Sequence, residues 1–158
     1  MWRALAPRLV AYLMTFLTLG IFWIGQQTQL SRLARGDRDL AWIHIGFLLA
    51  VSITPFSTAF LASFITYRVA LVLYWSNILL LGVALLCVWR YATRAGLLKD
   101  DTSPEMRRAI ERRIIIAQAL YAAGALLCII STYWSIAVIV LVQLNYVIAP
   151  RIRPLYRL

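Results

Sequence analysis

Few side chains in this sequence can do chemistry. The carboxylates are Asp37, Asp39, Asp100, Asp101, Glu105 and Glu111, the one histidine is His44, and the thiols are Cys87 and Cys128. Acid–base catalysis needs a titratable group within reach of the proton it moves, yet all the carboxylates sit in short charged stretches between long apolar runs. His44 has no partner at metal-ligand spacing and reads as an interface residue rather than a proton relay. The two cysteines show neither ligand spacing nor a disulfide framework and read as small packing residues. No glycine-rich phosphate loop and no nucleophile elbow occurs. The sequence therefore speaks against an enzyme and implies no cofactor.

What remains is neutral polarity inside apolar segments: Thr15, Thr18, Ser52, Thr54, Ser57, Thr58, Ser76, Asn77, Gln118, Gln143 and Asn145. Such groups have two uses. They can line a passive path, or they can bond one helix to another. The densest cluster is "VSITPFSTAF", Val51 to Phe60. Pro55 lacks a backbone donor and presses on the Val51 carbonyl, so a kink is expected there. Thr54, Ser57, Thr58 and Leu61 share a face at helical spacing. The hydroxyls can satisfy backbone groups freed by the proline, or the face can receive a neighbouring helix. "QALYAAGALL" reads as a packing seam through Ala119, Ala123 and Gly124.

The elements that position these groups follow from composition. The chain of 158 residues is 63% hydrophobic and 14% charged, where a soluble domain carries about 25% charge. Leu9 to Ser31, Leu40 to Tyr67, Val69 to Trp89 and Ile114 to Pro150 are each free of charge. About 20 such residues cross a bilayer core. The last run would reach about 55 Å as one helix, against a core of about 30 Å, so it must fold back. "STYW", Ser131 to Trp134, is the natural corner. The fold class is an all-α polytopic membrane bundle, a single transmembrane domain with helices at about 5–30, 40–65, 68–93, 104–130 and 133–149. The fourth begins early, with Ser103 as N-cap, Pro104 at the first helical position and Glu105 in the first turn.

The net charge of +10 is an orientation signal. Of the 16 basic residues only Arg3, Arg8 and Arg68 fall on one side, and all the rest fall on the other. The positive-inside rule puts the richer side in the cytoplasm, hence N-out and C-in. The basic stretches contain no nucleic-acid-binding motif, so their partner is the anionic bilayer surface. The N-terminus does not look like a signal peptide, and the N-out start leads us to expect a further helix before Met1.

Two stretches then carry a resemblance. "FLTLGIFWIGQQTQL", Phe16 to Leu30, resembles the second transmembrane helix of the transmembrane protein 175 family of potassium channels, and "VSITPFSTAFL", Val51 to Leu61, resembles its third. "WRYATRAGLL", Trp89 to Leu98, is similar as well. The resemblance implies six helices per repeat, passive transport of potassium ions, and homo-oligomers, tetramers among bacterial members, in a bacterial plasma membrane. The family's first helix lines the pore and carries Arg-x-x-x-Phe-Ser-Asp, which occurs nowhere in this sequence. The family often has histidine after the tryptophan, where this chain has Gln26 and Gln27. Glutamine keeps donor and acceptor capacity but does not titrate. The residues expected to support a pore from behind are Thr18, Trp23, Gln26, Gln27, Ser52, Thr54, Pro55, Ser57 and Thr58. Three other readings stand beside this one: a non-conducting accessory or structural membrane protein, the product of a shortened gene, and a small transporter. The lack of buried charge and of an internal repeat counts against the transporter.

Overall fold

In hydrocarbon each backbone N–H and C=O must find its partner within the protein, so apolar runs of this length fold as helices. The computed structural model describes residues 2–148, with side chains described for Leu9 and from Ala11 onward. Five α-helices follow one another: α1 (Trp2–Leu30), α2 (Arg38–Ser63), α3 (Arg68–Arg94), α4 (Pro104–Leu126) and α5 (Thr132–Ile148), with a short 3₁₀ turn, Leu127–Ile129, closing α4. Among the described residues there is no strand; a lone antiparallel bridge pairs Leu33 with Leu98. The molecule is a membrane helix bundle. Three of its segments, Arg38–Ser63, Arg68–Arg94 and Pro104–Ile129, are long and apolar enough to cross a bilayer, and α5 is a shorter apolar helix. The C-terminal arginines Arg151, Arg153 and Arg157 lie outside the described residues.

Helix α3 is the hub and packs against all four others. Its buried positions, Ala70, Leu71, Tyr74, Asn77, Ile78, Leu81, Leu85, Val88, Trp89 and Ala92, recur at helical spacing along its whole length. The opposite pattern holds outside. Leu48, Leu49, Phe56, Val69, Val72, Leu80, Val83, Ile115 and Leu141 are exposed on the bundle surface. A soluble protein rarely leaves so much contiguous apolar area uncovered, and a bilayer covers it here.

Local chemistry sets the helix ends. Asp37 caps α2 by accepting the Leu40 N–H at 2.8 Å, and Ser103 caps α4 by accepting the Met106 N–H at 3.2 Å. Pro104 sits at the start of α4, where its missing donor costs nothing. The long apolar run turns back at Ile130 and Ser131, before α5. The packing seam of α4 differs from the one its alanines suggest. Ala119 and Ala123 are exposed; of the expected seam Gly124 is buried, and it packs together with Tyr121 and Ala125. The reason is contact with α5: a Cβ on Gly124 would stand 3.2 Å from Ile139 Cγ1, and Ser135 Oγ donates to the Gly124 carbonyl at 2.6 Å.

At one end the α1–α2 and α3–α4 connections are tied together. The Ala34 N–H donates to Leu97 O at 2.8 Å, and the Lys99 N–H donates to Arg32 O at 2.9 Å. Beneath them Leu40, Val88, Trp89, Ala92, Leu97 and Leu98 form a second small core. Trp89 Nε1 donates to Arg107 O at 3.1 Å, Arg90 pairs with Glu111, and Arg32 stands 3.7 Å from Asp101. Gly96 turns the chain into this connection at φ +65°, a conformation that favours glycine.

Candidate functional site: a buried neutral polar spine

The polar groups sealed inside the bundle are hydroxyls and amides, and they bond across helices. At the centre stand Thr18 of α1, Tyr74 of α3 and Gln143 of α5, each at 0% exposure. The Thr18 hydroxyl donates to the Met14 carbonyl at 2.7 Å and lies 2.9 Å from the Tyr74 hydroxyl. Gln143 Nε2 donates to Thr18 Oγ1 at 2.7 Å and to Tyr74 Oη at 3.0 Å. With the Thr18 proton on Met14, Tyr74 must donate to Thr18, and the two amide hydrogens of Gln143 serve one oxygen each. Gln143 Oε1 alone is left without a partner among the described residues.

A second cluster joins α2 to α3. Asn77 Nδ2 donates to the Ala50 carbonyl at 3.0 Å, and Ser57 Oγ reaches Asn77 Oδ1 at 3.2 Å. Thr54 donates to Ala50 O, and Thr58 to the carbonyls of Thr54 and Pro55. The hydroxyls thus serve carbonyls beside Pro55, and none of these bonds falls on Val51, whose carbonyl the proline frees. Helix α2 continues through Pro55. The Thr58 and Thr15 hydroxyls meet across α2 and α1. Of the two readings of this face, reception of a neighbouring helix is the one these contacts support; the hydroxyls also bond carbonyls of their own helix, but not the one the proline frees.

The expected residues divide by face. Thr18, Gln26, Thr54, Ser57 and Thr58 are buried, whereas Trp23, Gln27, Ser52 and Pro55 point outward. Ser52 is bonded to Leu49 O within its own helix. Trp23 is 57% exposed beside Ile24, as an outward aromatic on a membrane helix would be. The inward glutamines are Gln26 and Gln29. Gln29 Nε2 donates to the Leu85 carbonyl at 3.1 Å, tying α1 to α3. Sequence reasoning missed Gln29 and Tyr74, although helical spacing carried the signal: Gln29 follows Gln26 by three, and Tyr74 precedes Asn77 by three. His44 Nδ1 lies 2.9 Å from its own helix's Leu40 carbonyl. At the rim, the Leu40 N–H first and the Tyr91 hydroxyl second hold the Asp37 carboxyl below the usual carboxylate value. Among the described residues no cluster of His, Cys, Asp or Glu could hold a metal.

The fold is a multi-pass membrane helix bundle, apolar outside and, among the described residues, cross-bonded inside by uncharged groups. Comparison narrows that class. The family model described as "Endosomal/lysosomal potassium channel TMEM175" matches residues 1–55. A protein of Streptomyces collinus named as a potassium channel is 29% identical over 154 residues, covering 92% of this chain and 75% of that one. Another so named, from Chamaesiphon minutus, is 27% identical over 139 residues, covering 85% and 68%. The human endosomal/lysosomal proton channel TMEM175 is 24% identical over 135 residues, which are 85% of this chain and 26% of the human one. The chain is thus similar to proteins of the TMEM175 family, whose relatives named here are membrane ion channels and not enzymes.

Proposed function

We propose that this chain is a potassium-channel subunit carrying potassium passively down its gradient, and that residues 1–158 supply the scaffold behind the pore rather than the ion-selecting surface. The observation that carries this reading is the closure of the polar spine. Thr18, Tyr74 and Gln143 bond to one another, and Ser57, Asn77 and Thr58 bond to neighbouring helices and carbonyls. A selectivity filter replaces an ion's hydration shell with oxygens turned into a narrow path; here the hydroxyls and Asn77 Oδ1 are engaged by neighbours, and Gln143 Oε1 is sealed inside the bundle. The relatives named as potassium channels support the choice of ion. On this reading Gln29 ties the α1 corner to α3 without titrating, with Gln26 buried beside it. Copies of the chain assemble around the path, as a tetramer by resemblance, in a bacterial plasma membrane, with the N-terminus outside and the C-terminus in the cytoplasm. Selection depends on a helix bearing the family signature Arg-x-x-x-Phe-Ser-Asp.

The test is ion flux from liposomes. Residues 1–158 alone should pass little potassium. The same chain with a family signature helix placed before Met1 should pass potassium in preference to sodium. Strong potassium-over-sodium flux from residues 1–158 alone would place the filter among the hydroxyls of α1 and α2 and overturn the scaffold reading. No flux in either form favours an accessory, non-conducting role.

A further inference from the structure

At the end of the bundle opposite the tied connections, Thr66, Arg68, Cys128, Ile130, Ser131, Thr132 and Tyr133 line a pocket of about 260 Å³. It lies where the α2–α3 turn meets the α4–α5 turn, and its polar side chains, one guanidinium and several hydroxyls, can all donate. Arg68 Nη2 donates to the Ile129 carbonyl at 3.0 Å. That leaves most of its five N–H groups free, and no carboxylate pairs with it among the described residues. None can come from a nearby turn, because all six acids lie toward the other end, in its connections or in the early turns of α2 and α4. Thr132 is only 7% exposed and lines the pocket. The N-terminus of α5 begins at Thr132, and that of α3 at Arg68 after Tyr67, which offers no side-chain cap. Unpaired N–H groups at helix starts favour an anion.

We infer that this pocket binds the phosphate of a membrane phospholipid. The guanidinium supplies charge and paired donors, Ser131 and Thr132 supply hydroxyls, and the helix starts supply backbone N–H groups. What selects a lipid over a free anion is the setting. Tyr67, Tyr133 and Trp134 are exposed around the pocket, together with Phe64, Ile129 and Ile130. Tyrosine and tryptophan concentrate at headgroup depth, so the pocket opens at the level where lipid phosphates lie. The site does not depend on which ion the channel carries.

Cys128 lines the pocket and is half-buried, so its thiol reports occupancy. In a Cys87→Ser background, alkylation of Cys128 by N-ethylmaleimide is timed in maltoside micelles, which contain no phosphate. Added dioleoyl-phosphatidylglycerol should slow the reaction about tenfold, corresponding to roughly nine sites in ten occupied. Dioleoylglycerol, with the same acyl chains and no phosphate, should not slow it. Arg68→Gln should abolish the protection, and Arg68→Lys, which keeps the charge, should retain part of it. Equal protection by the two lipids, or protection that survives in Arg68→Gln, overturns the site. Protection by inorganic phosphate with none from phosphatidylglycerol overturns the lipid assignment. If Arg68→Gln does not fold, loss of all protection in the folded Arg68→Lys protein overturns the phosphate fork, and retained protection supports it.

Discussion

The Tyr74 hydroxyl offers the sharpest test of whether the polar spine holds the bundle or is merely buried in it. Tyr74→Phe keeps the ring and its packing and removes one oxygen. That oxygen lies 2.9 Å from Thr18 Oγ1 and accepts from Gln143 Nε2 at 3.0 Å. Hydrogen bonds between membrane helices average about 0.6 kcal/mol and reach about 1.7. Two of them, plus a stranded Gln143 N–H, give a loss of about 1–3 kcal/mol. Gln143→Leu should behave differently. It removes two bonds but also removes Oε1, a buried acceptor with no partner among the described residues. Relief of that orphan offsets much of the loss, so the variant should stay within about 1 kcal/mol of the parent. Reversible unfolding in mixed micelles, followed by the fluorescence of the 6 tryptophans, reads both values. A double-mutant cycle of Tyr74→Phe with Thr18→Val should give a coupling of about 0.6–1.7 kcal/mol. It cancels the separate loss of the Thr18 bond to Met14. A silent Tyr74→Phe with coupling near zero would refute the idea that these contacts hold α1, α3 and α5 together.

Other tests address different parts of the molecule. Gly82→Ala puts a Cβ inside the space of the Gln118 side chain, so it should cost about 1–3 kcal/mol in the same unfolding assay. Gln118→Ala in that background should restore most of the loss, and failure to restore would place the strain elsewhere. The Asp37 carboxyl is lowered in the folded protein by the Leu40 N–H and the Tyr91 hydroxyl, so its stabilisation is present at neutral pH. That stabilisation should be lost as pH falls below the ordinary carboxylate value of about 3.9 and through the lowered one. Asp37→Asn should flatten that part of the stability–pH curve, and an unchanged curve would exclude the cap. A cysteine at the exposed Lys99 should react with an impermeant thiol reagent only once the cytoplasmic face is opened; labelling in intact cells would reverse the proposed orientation.

How much could be read from the sequence depended on the kind of pattern. The helices were legible because charge-free runs of bilayer length leave the backbone few alternatives, and the early start of α4 was legible because Ser103-Pro104-Glu105 is local chemistry. The inward face of α2 was legible too, since Thr54, Ser57, Thr58 and Leu61 keep helical spacing. Outward and inward residues of α1 were harder to tell apart. Gln26 and Gln27 are adjacent in sequence, yet a step of about 100° per residue sends one inward and the other out. The seam of α4 was misread because alanine is small on either face. Which small residues meet a partner depends on where α5 lies, and that is tertiary information. The phosphate pocket was invisible for a similar reason: Arg68 and Thr132 are brought together only by the meeting of two turns.

The two ends of the bundle show why topology rests on more than a charge count. At one end the Ala34–Leu97 and Lys99–Arg32 backbone bonds join the first and third connections. At the other, the Arg68 bond to the Ile129 carbonyl joins the second connection to the α4–α5 turn. These contacts gather the first and third connections at one end and the second connection with the α4–α5 turn at the other. The charges then have one decision left, namely which end faces the cytoplasm. Every carboxylate lies at the tied end, where Arg32 and Arg90 find Asp101 and Glu111, and Arg68 is left at the other end without an acid. An arginine there does not help to set orientation under the positive-inside rule. Its place at the mouth of this pocket is therefore better explained by something it binds than by the topology it signals.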